Sequence, residues 1–367
     1  MNYIIFLVIL IVLLVFYNRF ENKMNRENDE YTNKTIQNYL LDGATLAKSK
    51  KPVLWVHVPY EYNSRNWSSF GSRSSFDLNQ PYLYLTVRSI INQCDDSFTI
   101  CLIDDTSFGK LIPGWNIDVK RISSPILDNV RKLGLMKLIE RYGGMLCPLS
   151  FVCMKDLIGL YNKGTAGNSM FVCETTDRNI TSTTNDFYPN ILFSGAPKQN
   201  NTVKKLIEYI QYTMSVDYTS ETEFLGNYNR WVNSRTDTGE IRLINGMEIG
   251  VKTPDDRPIL LEDLMSNNYL KIYPNAYGIL IPSDELLNRR KYGWFIRMSE
   301  KQVLESNTII GNYLLVNQAE GGQILEPLSM RPKGWVGFWK VPSNAPVWGL
   351  KPNFLGDNLR ILSNPVN

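Results

Sequence analysis

Leu138-Ile139-Glu140-Arg141-Tyr142-Gly143-Gly144-Met145-Leu146 is the stretch on which the fold turns. Leu127 to Tyr142 is apolar at helical spacing, and Gly143-Gly144 is the pair expected where a helix stops in a left-handed turn. Met145 to Met154 is apolar again and too short for a second long helix, so it reads as strand. Upstream, Lys51-Pro52-Val53-Leu54-Trp55-Val56-His57-Val58-Pro59 is a short apolar run bounded by prolines, hence a buried strand. Tyr82 to Gln93 places Leu83, Val87, Ile90 and Ile91 at helical spacing, and Ser97 to Ile103 is a strand that ends at Asp104-Asp105. Met170 to Cys173 is one more strand, and Val203 to Met214 is helical. Strands alternating with helices predict an α/β fold, a mixed and mostly parallel sheet with flanking helices. Beyond residue 240 the pattern weakens into short strands and turns (241–282), with one further helix over Gln302–Gln318.

The order strand, helix, strand ending in Asp-Asp, helix, Tyr-Gly-Gly, strand resembles the nucleotide-sugar-binding half of a GT-A glycosyltransferase. It is most similar to the family 32 and capsular-polysaccharide type, whose helix ends in Tyr-Gly-Gly before an Asp-x-Asp. Asn190-Ile-Leu-Phe-Ser-Gly-Ala-Pro-Lys198 resembles that family's later segment near the acceptor side, and Lys51 to Val58 resembles its opening strand. The likeness covers roughly residues 50 to 215. Trp55-Val-His-Val-Pro-Tyr-Glu-Tyr-Asn-Ser-Arg65 and Ser97 to Asp105 also resemble membrane-anchored proteins of large DNA viruses of protists and algae.

The resemblance implies a nucleotide-sugar site at the strand ends, with Trp55, His57, Arg65, Tyr142, Gly143 and Gly144 as its candidate residues. It also implies a metal, because Asp-x-Asp enzymes hold the sugar-nucleotide diphosphate through a divalent cation. Here the chain departs from the pattern. Pro148-Leu149-Ser150 occupies the Asp-x-Asp place, and neither Pro148 nor Ser150 supplies a carboxylate. The family's Ser-Asp-x-x-Arg is lost as well, since Arg131, Lys132 and Leu135 stand there. Mn or Mg then has a place only if Asp104 and Asp105, at the end of a strand where open α/β sheets put ligands, replace the missing motif. Three readings stay open: a degenerate glycosyltransferase-like protein, an active transferase of altered metal dependence, and an unrelated α/β domain. A degenerate body would serve as a structural or interaction protein, with viral structural proteins as partners.

Composition narrows the alternatives. The 367 residues are 43% hydrophobic and 20% charged, enough for a sizeable core. The net charge of +3 comes from 39 basic and 36 acidic residues without a dense basic run, which gives no footprint for nucleic acid. A single histidine, His57, excludes a multi-histidine metal site. Five cysteines without CxxC spacing read as buried free thiols. Arg65 and Arg73 lie in a Ser/Gly-rich stretch suited to phosphate, and Glu174 and Asp177 follow a strand.

At the N-terminus, Tyr3 to Tyr17 is an uncharged apolar run without Gly or Pro. A helix from Met1 to about Phe20 would span roughly 30 Å, the thickness of a hydrocarbon core. Arg19, Lys23 and Arg26 follow it, so the positive-inside rule puts the rest of the chain on the cytoplasmic side. The expectation is therefore a single-pass protein of a host or virion membrane. Its parts are an anchor at 1–20 that meets the bilayer through residues 3–17, a polar tether and lead-in helix at 21–49, an α/β domain at 50–320, and an irregular Pro/Gly/Trp-rich wrap at 321–367.

Overall fold

In this computed structural model the sheet is assembled around β1 (Val53–His57), whose first four residues are all buried. The structure describes residues 51–59, 80–119, 122, 126–176, 186–216 and 227–320. All of these lie within one unit, Asp42–Asn367. After β1 come α1 (Tyr82–Cys94), β2 (Thr99–Ile103), a short α2 (Ser107–Leu111) and the long α3 (Ile126–Tyr142). β3 (Gly144–Leu146), β4 (Phe151–Cys153), α4 (Ile158–Thr165), β5 (Met170–Thr176), β6 (Phe187–Ala196) and α5 (Asn201–Val216) follow. The remaining elements are α6 (Asn227–Asp237), β7 (Ile241–Ile244), α7 (Leu261–Leu264), β8 (Gly278–Leu280), α8 (Ser283–Asn288), α9 (Glu300–Leu304) and α10 (Ile309–Glu320).

Six strands form one sheet in the order β2-β1-β3-β6-β5-β7. β1 pairs in parallel with β2 and β3, and β5 pairs in parallel with β7. β6 is antiparallel to both of its neighbours. Two reversals restore direction, so β2, β1, β3, β5 and β7 all run the same way and only β6 opposes them. The carboxyl ends of the five co-directional strands therefore share one edge, and that edge is where an open α/β sheet puts its ligands. β4 and β8 form a separate two-stranded ribbon.

Two glycines hold the turn from α3 into β3. Gly143 (φ 71°) closes the helix, its N–H donating to the Ile139 carbonyl at 2.8 Å. Gly144 (φ 101°) passes so close to β1 that an added Cβ would lie 2.1 Å from the Val53 carbonyl oxygen. Only glycine fits both the backbone angle and the approach.

The second half of the chain builds its own packing layer on α1 and the β4–β8 ribbon. Tyr82 and Leu85 of α1, Val152 of β4, Ile279 of β8 and Phe295, Val303, Ile310 and Leu314 from the last helices form one buried apolar cluster. The helix expected over Gln302–Gln318 is two helices. Ser306 Oγ donates to the Val303 carbonyl at 2.6 Å and Thr308 Oγ1 accepts from Gly311 N–H at 3.0 Å, so side chains end α9 and start α10.

The fold class expected from the sequence is corrected in one respect. Among the described residues no helix is long and apolar enough to cross a membrane. The structure gives a mixed α/β body with a mostly parallel sheet, and none of its described helices is a membrane span. The run 3–17 that suggested the anchor lies outside the described residues, as do the tether at 21–49 and the wrap at 321–367. The single-pass, cytoplasm-facing localisation is corrected on the same finding, that no described helix is long and apolar enough to cross a membrane.

Candidate functional site

Parallel register decides which side chains meet at the carboxyl edge. His57 ends β1 opposite Ile103 of β2, so Asp104 and Asp105 lie just past the imidazole. His57 Nε2 is 2.9 Å from Asp105 Oδ1. From α3, Arg131 closes the group: its Nε donates to Asp105 Oδ1 at 2.9 Å and its Nη2 to Oδ2 at 2.7 Å. A planar guanidinium and a planar carboxylate match in this two-point arrangement, which makes it stronger than a single contact. The three side chains are between 11% and 15% exposed, so the cluster is mostly shielded but touches solvent. Phe108 of α2 stacks on the imidazole at 5.6 Å between centroids.

Burial pushes the Asp105 carboxyl up, but hydrogen bonds from His57 and Arg131 and their charges outweigh it and hold the group at about 2. Asp105 is thus a fixed anion whose oxygens are already engaged. Asp104 is engaged differently. Its Oδ1 accepts from Ser107 N–H at 2.9 Å, Ser107 Oγ at 2.6 Å and Thr106 Oγ1 at 2.8 Å, closing the turn that opens α2. Partial burial raises its carboxyl, and the bonds from Ser107 and Thr106 bring it below the ordinary value. The two acids therefore serve different neighbours. Among the described residues no group of three or more His, Cys, Asp or Glu side chains converges as metal ligands.

Pro148-Leu149-Ser150, past the end of β3, is tied to two other elements. Ser150 is 3% exposed; its Oγ donates to the Ile281 carbonyl at 2.7 Å, and Ile281 N–H returns a bond to the Ser150 carbonyl at 3.1 Å. Thr86 Oγ1 of α1 donates to the Leu149 carbonyl at 2.7 Å. The Pro148 carbonyl accepts from Phe151 N–H at 3.1 Å. The three residues bind the sheet to the β8 segment and to α1.

Other sequence candidates are also placed. Trp55 is fully buried, and its Nε1 donates to the Gly143 carbonyl at 3.0 Å, so its ring is closed to a nucleotide. Tyr142 donates its hydroxyl to the Leu111 carbonyl at 2.8 Å and packs on Trp55 at 5.8 Å. Gly143 also carries a close crossing, since a Cβ there would lie 2.7 Å from Lys198 N. Trp55, Tyr142, Gly143 and Gly144 thus form the joint between α3 and β3, and all but the partly exposed Tyr142 are buried. The two segments that carried the family likeness are neighbours in the sheet, with Gly144 opposite Ala196 and Met145 opposite Gly195. Arg65, Arg73 and Asp177 lie outside the described residues.

Glu174, near the end of β5, accepts from Gly246 N–H at 2.9 Å and pairs with Lys252 Nζ at 2.9 Å. Lys252 is only 7% exposed, and its ammonium also lies 4.7 Å from the centre of the Phe187 ring. This acid braces β5 against the segment after β7. The cysteines are all free and buried, and burial raises the Cys101 thiol to about 12. They are packing groups in the thiol form.

The sequence reading missed Arg131 as a partner of Asp105. Residues 57, 105 and 131 are far apart in the chain; the β1–β2 register brings the first two together and α3 brings Arg131 to them. The available signal was a lone histidine ending one strand and an acid ending the next. In comparisons with known proteins, no family model matches the chain and no curated protein matches it.

Proposed function

We propose that the chain is a degenerate glycosyltransferase-like protein, with the strand edge of such an enzyme but without metal-dependent sugar transfer, acting as a binding or interaction body. The observation that carries this reading is the bond pair between Ser150 and Ile281. In a metal-dependent transferase the corresponding place must present a carboxylate to a diphosphate-bound cation. Here it presents a buried hydroxyl to a backbone carbonyl, and the strap around Ile281 covers it.

The remaining acids favour the same reading. Asp104 closes a turn, Asp105 neutralises Arg131 beside His57, and Glu174 neutralises Lys252. Each would have to leave a partner before binding a cation. The likeness of 138–146 and 190–198 to the transferase family supports the ancestry, and the co-directional strand ends support a ligand-facing edge.

Calorimetric titration of the full chain with uridine and guanosine diphosphate sugars, with and without Mn²⁺, tests the reading. The expected result is no Mn²⁺-dependent binding and no released nucleoside diphosphate on incubation with acceptor sugars. Sugar transfer by the purified chain, abolished by Asp104→Ala and Asp105→Ala, would overturn it.

A further inference from the structure

Side-chain bonds fix α1 against β4 and the turn that leads into it. Thr86 Oγ1 donates to the Leu149 carbonyl at 2.7 Å, and Ser89 Oγ accepts from Cys153 N–H at 2.8 Å. From α10, the Asn317 amide donates to the Cys153 carbonyl. Cys94 is the last residue of α1 and Cys153 the last of β4, and their sulfurs lie 3.8 Å apart. Both residues are fully buried, and 59 positions separate them in the chain. Among the described residues no other two cysteine sulfurs are in contact. The sulfurs of Cys101 and Cys147 turn instead to the carbonyls of Thr99 and Pro148, at 3.8 and 3.7 Å.

We propose that Cys94 and Cys153 are a modification site: hydrogen peroxide converts the pair into a reversible disulfide that locks α1 to β4. The sulfurs already touch, and side-chain rotation has to bring them only to the bond length of about 2.0 Å. The backbone of Cys153 is braced by Ser89 on one side and Asn317 on the other, so the pair is held at contact rather than meeting by chance. The position gives the bond a consequence. α1 and β4 both feed the apolar cluster on which the second half of the chain packs, through Tyr82, Leu85 and Val152. A cross-link there closes a long loop and removes freedom from the unfolded chain.

In the resting chain the pair is reduced. Cys153 donates its S–H to the Lys155 carbonyl at 3.1 Å, so Cys94 supplies the hydrogen in the contact between the sulfurs. Burial, and then the bond with Cys94, push the Cys153 thiol well above its ordinary value, which makes the reaction slow and keeps the thiols free until oxidant accumulates. The oxidant must be about the size of water, because both residues are closed to solvent. One sulfur attacks a peroxide oxygen and the O–O bond breaks, giving a sulfenic acid and one water. The second sulfur attacks the first, the S–S bond forms, and the sulfenic oxygen leaves as a second water. The two thiols together lose two electrons and two protons, and the peroxide takes both. A dithiol reverses the bond by exchange.

The full-length chain is treated with hydrogen peroxide, unfolded in N-ethylmaleimide, and digested without reductant for peptide mass mapping. The expected result is one cross-linked species joining the Cys94 and Cys153 peptides, with Cys101, Cys147 and Cys173 alkylated, and its disappearance with dithiothreitol. The oxidised chain should unfold at least about 4 °C above the reduced one. Cys147 is the competitor, being close enough to act electrostatically on Cys153. Cys147→Ala should leave the cross-link in place, and Cys94→Ala should abolish it. Oxidised glutathione, too bulky for a closed site, should give no cross-link over the same period. No cross-link in the unaltered chain, a bond through Cys147, faster oxidation by glutathione than by peroxide, or an oxidised chain no more stable than the reduced one would each overturn the proposal. None of these outcomes depends on whether the chain binds a nucleotide sugar.

Discussion

Arg131 grips Asp105 through two nitrogens, at 2.9 and 2.7 Å, while His57 contacts the same carboxylate at 2.9 Å from the other strand. The arrangement joins β1, β2 and α3 at a single point and makes the acid's charge a structural quantity. Asp105 sits at about 2, below its unfolded value near 3.8. A depressed carboxyl stabilises the fold fully above the unfolded value and loses that contribution as pH falls through the folded one. Between pH 4 and pH 2 the chain should lose about 2 kcal/mol from this group. Urea denaturation over that range checks it, with Asp105→Asn flattening the slope. An unchanged slope would separate Asp105 from acid stability.

Restoring carboxylates at the end of β3 should damage the fold. Ser150→Asp places a charge where a 3% exposed hydroxyl now serves the Ile281 carbonyl. The expected cost is several kcal/mol, on the order of an uncompensated buried charge. Ser150→Ala should cost about 1–2 kcal/mol through the lost bond. Thermal unfolding of the two variants ranks them, and Pro148→Asp/Ser150→Asp with normal stability and tight Mn²⁺ binding would contradict the degenerate reading.

Gly144→Ala should be among the most damaging single changes in the body. The new Cβ meets the Val53 carbonyl oxygen at 2.1 Å and the backbone is held at φ 101°. Destabilisation above about 4 kcal/mol, or insoluble expression, is expected. Gly114→Ala is the control: its φ is 73° but nothing lies within 4 Å, so only the backbone cost of about 1–2 kcal/mol applies.

Lys252→Met leaves the mostly shielded Glu174 without its cation and should cost about 2–3 kcal/mol, below the range for a fully buried pair. Lys252→Met/Glu174→Gln removes both charges and should recover more than half of that loss. Chemical denaturation of both proteins tests the pair, and a double variant no better than the single would assign the loss to packing.

The first half of the fold was largely legible because local signals agreed there. Prolines bound β1, α1 and α3 carry helical periodicity, and Gly143-Gly144 marks the stop. β6 was not legible as a strand. Pro189 and Gly195 interrupt it, its register shifts opposite Val172/Cys173, and its reversed direction is set by the partners β3 and β5. The split between α9 and α10 was hidden because Ser306 and Thr308 cap ends that apolar periodicity runs through. At the site, Asp104 and Asp105 read as one pair of ligands, whereas a local turn takes the first and a distant arginine the second. Tyr142-Gly143-Gly144 carried both a family likeness and a plain helix stop, and the contacts of Gly143 and Gly144 account for the latter.

His57 is the only imidazole in the chain, and it stands at the joint of β1, β2 and α3. Nature has thereby installed a single spectroscopic label at the carboxyl edge of the sheet. One set of ring resonances, with no assignment problem, will report whatever enters the edge, moves Phe108 or loosens Arg131. A ligand screen by nuclear magnetic resonance could proceed on unmodified protein before any substrate is known.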